Sequence, residues 1–123
     1  MFRLSDVYLM YAEATVRGAA SGNLATATGY INKIRTRAGA ATITSSDLNL
    51  NFILDERGRE LFWECHRRTD LIRFGKFTGG SKIWQWKGGV KNGSGTDSYR
   101  DLMPIPSRTI QANPTLKQNT GYN

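Results

Sequence analysis

The feature that most constrains this chain is a set of apolar side chains that recur at α-helical spacing through its first half. Residues three, four and seven positions apart lie on one face of a helix, so each such row predicts a buried stripe. Three such rows predict three helices, of which the second runs from about Leu24 to Ala38. Their apolar members are Leu4, Val7, Tyr8, Tyr11 and Ala12, then Leu24, Ala27, Ile31, Ile34 and Ala38, then Leu50, Ile53, Leu54, Leu61, Phe62 and Cys65.

Polar residues and glycines mark the expected ends of these helices. Ser5 or Asp6 is a candidate cap for the first helix, and Gly18 ends it. The first two helices then form an antiparallel hairpin. Ser46 or Asp47 is a candidate cap for the third helix. A fourth, short helix is expected over residues 69–74.

After Phe77 the helical pattern ends. Glycines and prolines dominate residues 78–123, and they predict a mostly irregular tail packed over the helices, with one helical turn near residues 107–111. We therefore predict an all-α fold in one region, 1–123, with a helical part at 1–77 and a loop-rich part at 78–123.

Length and charge exclude few classes of protein. The 123 residues fit one domain or part of a larger one. No apolar run approaches the roughly 20 residues that span a bilayer, and no signal peptide is recognisable. The chain is either cytoplasmic or cut from a longer exported precursor. The net charge of +7 is spread over both flanks, so it indicates nucleic-acid binding only weakly.

The most densely charged segment is 55–68. Glutamates four residues apart repel one another on one helical face unless arginines lie between them. We predict a structural ion-pair network here, with Arg67 and Arg68 pairing with Glu64 on the same helix. Its members are Glu56, Arg57, Glu60, Glu64, Arg67 and Arg68. The alternative is that two of the glutamates act as general acid and base.

Other signatures of catalysis are missing from the sequence. His66 is the only histidine, which excludes a zinc site built from several His and Cys ligands, and no phosphate loop or Gly-x-Ser-x-Gly turn is present. Cys65, the only cysteine, is expected to be a buried inert thiol, and Trp63 is expected in the core or at a helix interface. We predict no catalytic residue, metal or cofactor.

The aromatic patch around Trp84 and Trp86 carries the clearest binding chemistry. Two residues apart, the tryptophans point the same way in an extended chain. Their flat faces suit the C–H face of a sugar ring. The candidate polar rim is Asn92, Asp97, Tyr99 and Arg100. Alternatively both tryptophans simply pin the loop onto the helices, or the flanking Lys82 and Lys87 make a nucleic-acid platform.

Several segments occur in an order typical of one family. They read RLSDVYLMYAEA at 3–14, YINKIRTRAG at 30–39, ILDERGREL at 53–61, DLIRFGK at 70–76, LMPIP at 102–106 and NPTLKQNTGY at 113–122. Together they resemble the C-terminal portion of the SusD/RagB family over nearly the whole chain. Gly58, Cys65 and Thr120 depart from the family's usual Arg, Gly and Pro.

The resemblance implies the C-terminal fragment of a longer SusD-like fold whose tetratricopeptide-like helices and lipid anchor lie upstream. It implies a Bacteroidetes outer-membrane lipoprotein that captures oligosaccharides at the cell surface and passes them to a SusC-like TonB-dependent transporter, without catalysis. The fragment itself is expected to be soluble. No ligand-binding residue is carried over from the family, so the six candidates above rest on their chemistry alone.

Three other functions remain open. A helical module that only docks on the transporter predicts no sugar affinity. A nucleic-acid binder predicts affinity that falls steeply with salt, although we expect no nucleic-acid partner. A hydrolase requires Glu56, Glu60 or Glu64 to be exposed in a cleft.

Overall fold

The computed structural model describes residues 3–122, which contain five α-helices, two 3-10 turns and no β-strand. The all-α prediction is confirmed. The α-helices are α1 Leu4–Val16, α2 Leu24–Arg37, α3 Leu50–Glu60, α4 Arg67–Arg73 and α5 Ser107–Ala112, and the 3-10 turns are Lys87–Gly89 and Ser98–Asp101. None of these helices is long and apolar enough to cross a membrane.

The chain divides into two compact units, Met1–Asp70 and Leu71–Asn123, which we call the first and second units. In the first unit, α1 packs against both α2 and α3. Its apolar core is Leu9, Ala12, Ala27, Ile31, Ile34, Leu48, Ile53, Leu54 and Leu61. Each buried leucine or isoleucine contributes about 1.5–3 kcal/mol, so this core is the main source of stability for the unit.

The buried face of α1 differs from the predicted stripe. Leu4 and Val7 are exposed, while Asp6 and Glu13 are buried beside the apolar Leu9. The cause is electrostatic: the Asp6 carboxylate lies 2.9 Å from a guanidinium nitrogen of Arg57. A pattern based on hydrophobicity alone could not anticipate that a charged side chain turns inward.

The predicted helix caps were also wrong. Ser5 and Asp6 both lie inside α1, and the first turn of this helix has no side-chain cap. For α3 the cap is Asn49, whose side chain accepts a hydrogen bond from the Phe52 N–H at 3.0 Å. Asp47 instead closes the preceding turn by accepting from the Thr44 N–H, and the hydrogen bonds from Thr44 lower the pKa of its carboxyl.

The third helix is shorter than predicted, because it ends at Glu60 and not near Cys65. Trp63 and Cys65 both have positive φ, 65° and 62°, a left-handed conformation that ends a right-handed helix. Cys65 is exposed, and Trp63 is 89% exposed. The predictions that Cys65 is a buried thiol and that Trp63 lies in the core or at a helix interface were therefore wrong.

Gly58 does have the close-packing role expected of a glycine inside a helix. A Cβ at this position would lie 2.8 Å from Nη1 of Arg67, which donates to the Leu54 carbonyl oxygen at 2.7 Å. The absence of a side chain at Gly58 thus leaves room for an arginine from α4 to lie against the backbone of α3.

The second unit consists mainly of turns. The end of α4 leads into Gly75, whose φ of 65° turns the chain. An antiparallel bridge joins Gly79 to Thr96. The predicted helical turn over residues 107–111 is confirmed as α5. Near the end of the chain, the Gln118 side chain donates to the Ile105 carbonyl and accepts from its N–H, both at 2.8 Å.

Candidate ligand-binding site

A cavity of about 590 Å³ lies in the second unit, where the turns after Phe77 meet the segment that ends in the second 3-10 turn. The Gly79 N–H donates to the Thr96 carbonyl at 2.7 Å, and the Ser94 N–H donates to the Lys87 carbonyl at 2.9 Å. These bonds hold the two walls together. The lining residues are Phe77, Trp84, Trp86, Lys87, Gly88, Gly89, Gly95, Thr96, Asp97 and Arg100.

Trp84 is held by a buried lysine. Lys87 is only 4% exposed, and its ammonium lies 4.7 Å from the centroid of the Trp84 ring. The same ammonium donates to the Lys82 carbonyl at 2.6 Å and to the Gly79 carbonyl at 3.2 Å. A cation over a tryptophan face is attractive, and more so when it is desolvated. The lysine thus fixes the ring, which remains 40% exposed at the cavity.

Trp86 is the more exposed of the two tryptophans, at 66%. Its backbone is left-handed, with φ of 68°, and its N–H donates to the Val90 carbonyl at 3.1 Å. The segment is therefore a turn, and the premise of an extended chain was wrong. The turn nevertheless brings both tryptophans to the same cavity.

Of the predicted polar rim, two residues line the cavity and two do not. Asp97 and Arg100 contribute to its wall. Asn92 is exposed outside the lining. Tyr99 packs edge-on against Tyr122, with ring centroids 4.9 Å apart.

Two lining residues, Lys87 and Phe77, are not among the predicted site residues. In the sequence, Lys87 stands out only as a positive charge that flanks Trp86. Phe77 had no signal beyond being aromatic at the end of the helical pattern. The buried position of Lys87 depends on carbonyl groups at 79 and 82 that point toward one spot, and no local motif encodes that arrangement.

All three acidic side chains of the predicted network lie in ion pairs in the first unit. Glu56 pairs with Arg35 at 2.9 Å and with Arg59 at 2.6 Å. Glu60 pairs with Arg3 at 3.0 Å and also with Arg37. Because these carboxylates already accept strong hydrogen bonds, they are poorly placed to act as a general acid and base.

Arg57 lies at the centre of this network and is 3% exposed. One of its nitrogens is 2.9 Å from the Asp6 carboxylate, and another is 2.9 Å from the carboxylate of Asp70. A planar guanidinium serves two carboxylates at once, which a lysine cannot do in the same geometry. The residue thereby joins α1, α3 and α4.

The predicted same-helix pairing with Glu64 was wrong, because this residue lies beyond the end of α3. Its carboxylate accepts from Arg3 at 2.6 Å. Arg67 lies 3.9 Å from Asp55. The place of Arg68 in the network stays a prediction.

The pKa directions follow from these contacts. Burial raises the pKa of the Glu60 carboxyl, but hydrogen bonds from Arg37 and Arg3 together with the Arg37 charge outweigh it and hold the pKa below its usual range. The hydrogen bond to Glu64 raises the pKa of Arg3. A general acid that works near neutral pH needs a raised carboxyl pKa. The pKa of Glu60 is lowered, which argues against Glu60 as the general acid of a hydrolase.

A second cavity of about 750 Å³ lies beside the end of α3 in the first unit. It is lined by Asp55, Arg57, Gly58, Arg59, Leu61, Phe62, Trp63, Cys65 and Arg67. Phe62 and Trp63 are both exposed there, with ring centroids 6.2 Å apart.

Among residues 3–122, no group of three or more His, Cys, Asp or Glu side chains is placed to hold a metal ion.

Comparison with known proteins identifies the family. A sequence model of the SusD family matches residues 1–122. The chain belongs to the SusD family. It is 41% identical over 126 residues to the starch-binding protein SusD of Bacteroides thetaiotaomicron, covering 99% of this chain and 21% of that protein. It is 38% identical over 133 residues to a SusD-like protein of Formosa agariphila, covering 99% of this chain and 24% of that protein.

Solved structures agree with the SusD-family assignment. A SusD superfamily protein from Bacteroides vulgatus matches with a TM-score of 0.75 and 35% identity, over 99% of this chain and 27% of that one. Another from Parabacteroides distasonis matches with a TM-score of 0.66 and 29% identity, over 99% and 27%. This chain therefore spans about a fifth to a quarter of the length of its relatives.

Proposed function

We propose that this SusD-family chain is a non-catalytic glycan-binding region of a longer outer-membrane lipoprotein. In this proposal it is the C-terminal region, a lipid anchor upstream attaches the whole protein to the cell surface, and the captured oligosaccharide passes to a SusC-like TonB-dependent transporter. The relative from Bacteroides thetaiotaomicron is named as a starch-binding protein, which is a binding activity and not a catalytic one.

The observation that carries the proposal is the fixed tryptophan at the cavity wall. Trp84 is held on one face by the Lys87 ammonium, which leaves ring surface open toward the cavity. A sugar ring stacks its C–H face on such a surface. Because the ring is already fixed, little side-chain entropy is lost on binding.

The polar wall suits the hydroxyl groups of a sugar. The Asp97 carboxylate can accept hydrogen bonds from hydroxyls, and the Arg100 guanidinium can donate to them. The volume of about 590 Å³ lies within the range of about 300–1,000 Å³ typical of small-molecule sites. An oligosaccharide of a few residues fits this size.

Affinity electrophoresis through gels that contain plant and host polysaccharides tests the proposal. We expect at least one glycan to retard the chain, and we expect the Trp84→Ala, Trp86→Ala double variant to lose the retardation. The control is Trp63→Ala, which removes an exposed tryptophan, also of left-handed backbone, from the first unit. Equal retardation of the double variant and the control would overturn the assignment of the site.

A second candidate function is docking on the transporter without a ligand site. Exposed apolar side chains on the first unit favour it, including Leu4 and Val7 on α1 and Phe62 after α3. This function predicts no retardation by any glycan, together with binding to the transporter that is weakened by Val7→Ser.

A further inference from the structure

The two units differ sharply in charge. The second unit has eight Lys and Arg residues against two Asp, a net charge of +6. The first unit has nine basic and eight acidic residues, a net charge of +1. The unit with the candidate cavity therefore carries nearly all of the chain's excess positive charge. A surface of one sign attracts ligands of the other sign and raises their local concentration.

The cavity itself has the same bias. Its charged lining residues are Lys87, Arg100 and Asp97, two cations and one carboxylate. Lys87 has no ion pair with an Asp or Glu among residues 3–122, and its hydrogen bonds go to backbone carbonyls. Its charge is thus held in place without being neutralised by a carboxylate. A fixed charge in a partly desolvated wall acts more strongly on a ligand than the same charge in water.

Arg100 is placed to contact an anionic group directly. It is exposed at the cavity wall, with its guanidinium 5.3 Å from the centroid of the Tyr99 ring. A guanidinium carries five N–H donors, so it can bind a ligand carboxylate while keeping other contacts. The buried ammonium of Lys87 adds to the field at the same site.

We propose that the cavity selects anionic glycans, those whose sugars carry carboxylate groups, over neutral ones. This inference rests on the proposed function and specifies its ligand class. The sugar ring stacks on Trp84, and the acidic group of the same or the next sugar binds Arg100. A neutral sugar makes the stacking contact only.

The test uses glycan pairs that differ in charge and not in backbone. Polygalacturonate is compared with its methyl ester, and alginate with its propylene glycol ester, in affinity electrophoresis of the full chain at two salt concentrations. We expect an acidic form to bind about ten-fold or more tightly than its ester, because hydrogen bonds to charged groups are the stronger class.

Two variants distinguish binding at the cavity from general electrostatic attraction to the second unit. Arg100→Gln and Lys91→Gln each remove one positive charge from the second unit, but only Arg100 lines the cavity, while Lys91 is exposed outside it. We expect Arg100→Gln to lose most of the preference for the acidic form and Lys91→Gln to keep it. Circular dichroism checks that both variants fold.

Each other outcome overturns the inference in its own way. Equal binding of acid and ester forms would remove the charge preference and leave the proposed function standing. Equal losses in the two variants, or equally tight binding of RNA, would show general attraction of polyanions. Failure of every acidic and neutral glycan to retard the chain would overturn both the inference and the proposed function.

Discussion

Different interactions stabilise the interior of the first unit and the interior of the second unit. In the first unit, regular helices bury an apolar core and arginines join the helices through buried carboxylates, as Arg57 does with Asp6 and Asp70. In the second unit, turns are held by backbone hydrogen bonds and by Lys87, whose ammonium binds carbonyl groups. The candidate site belongs to the second kind of construction, as is common for binding residues on loops.

The difference shows how charge is used in the two units. In the first unit, arginines pair with carboxylates, so their charges cancel and the pairs hold the helices in place. Where Lys87 meets carbonyls and a tryptophan ring, its charge is not cancelled by a carboxylate and remains available to act on a ligand.

The largest expected effect is at Arg57. Replacing it with methionine, Arg57→Met, removes the guanidinium that pairs with the buried Asp6 and Asp70 carboxylates, and breaking a buried pair in this way destabilises a protein by about 3–5 kcal/mol. Urea unfolding measures the loss. The control is Arg59→Met, because Arg59 is itself mostly exposed and its partner Glu56 keeps the pair with Arg35, so the loss should be less than about 1 kcal/mol. Similar losses in the two variants would contradict the central role of Arg57.

A smaller effect is expected from glycines of the second unit. Gly93 and Gly89 share a φ of 77°, but a Cβ on Gly93 would collide with the Trp84 carbonyl, while Gly89 has open space. Alanine at either position strains the backbone by about 1–3 kcal/mol. We expect Gly93→Ala to add the collision to that strain and to displace Trp84. Acrylamide quenching of tryptophan fluorescence should rise in Gly93→Ala but not in Gly89→Ala.

Acid should weaken the first unit through Glu60. The pKa of this carboxyl is lower in the folded state than in the unfolded state, where it is about 4.3. Its contribution to the free energy of unfolding is therefore complete above the unfolded-state pKa and is lost as the pH falls through the folded-state pKa. We expect Glu60→Gln to flatten the acid limb of stability against pH in urea unfolding. Asp55→Asn changes a half-exposed carboxyl and should leave that limb nearly unchanged. An unchanged slope in Glu60→Gln would contradict the pKa direction.

The smallest effect on stability is expected at Trp63. The side chain is 89% exposed, so Trp63→Asn should change the free energy of unfolding by less than about 0.5 kcal/mol. Asparagine tolerates the left-handed backbone at this position. Urea unfolding of Trp63→Asn beside the unmodified chain measures this change. A large loss of stability would mean that Trp63 is buried in solution.

Helices were predictable where repetition supplied the signal. The three apolar rows correspond to α1, α2 and α3 because several residues report on each helix, and the predicted start at Leu24 coincides with that of α2. The end of α3 was not predictable, since it depends on positive φ at Trp63 and Cys65, residue types that carry no signal for that conformation.

The candidate site was predictable by chemistry and not by geometry. Aromatic and charged side chains close together indicated Trp84, Trp86, Asp97 and Arg100, and all four line one cavity. The burial of Lys87 could not be inferred, because it requires the fold of the surrounding turns. The role of these residues in binding stays a prediction.

The most direct test of the account places fluorescent reporters in the two units separately. One variant keeps only Trp63, through Trp84→Phe and Trp86→Phe, and the other keeps Trp84 and Trp86 through Trp63→Phe. Both are titrated with oligosaccharides of a glycan that retards the unmodified chain. The account predicts a saturable change in emission from Trp84 and Trp86 and none from Trp63. A change at Trp63 alone would contradict it and would place the site in the first unit.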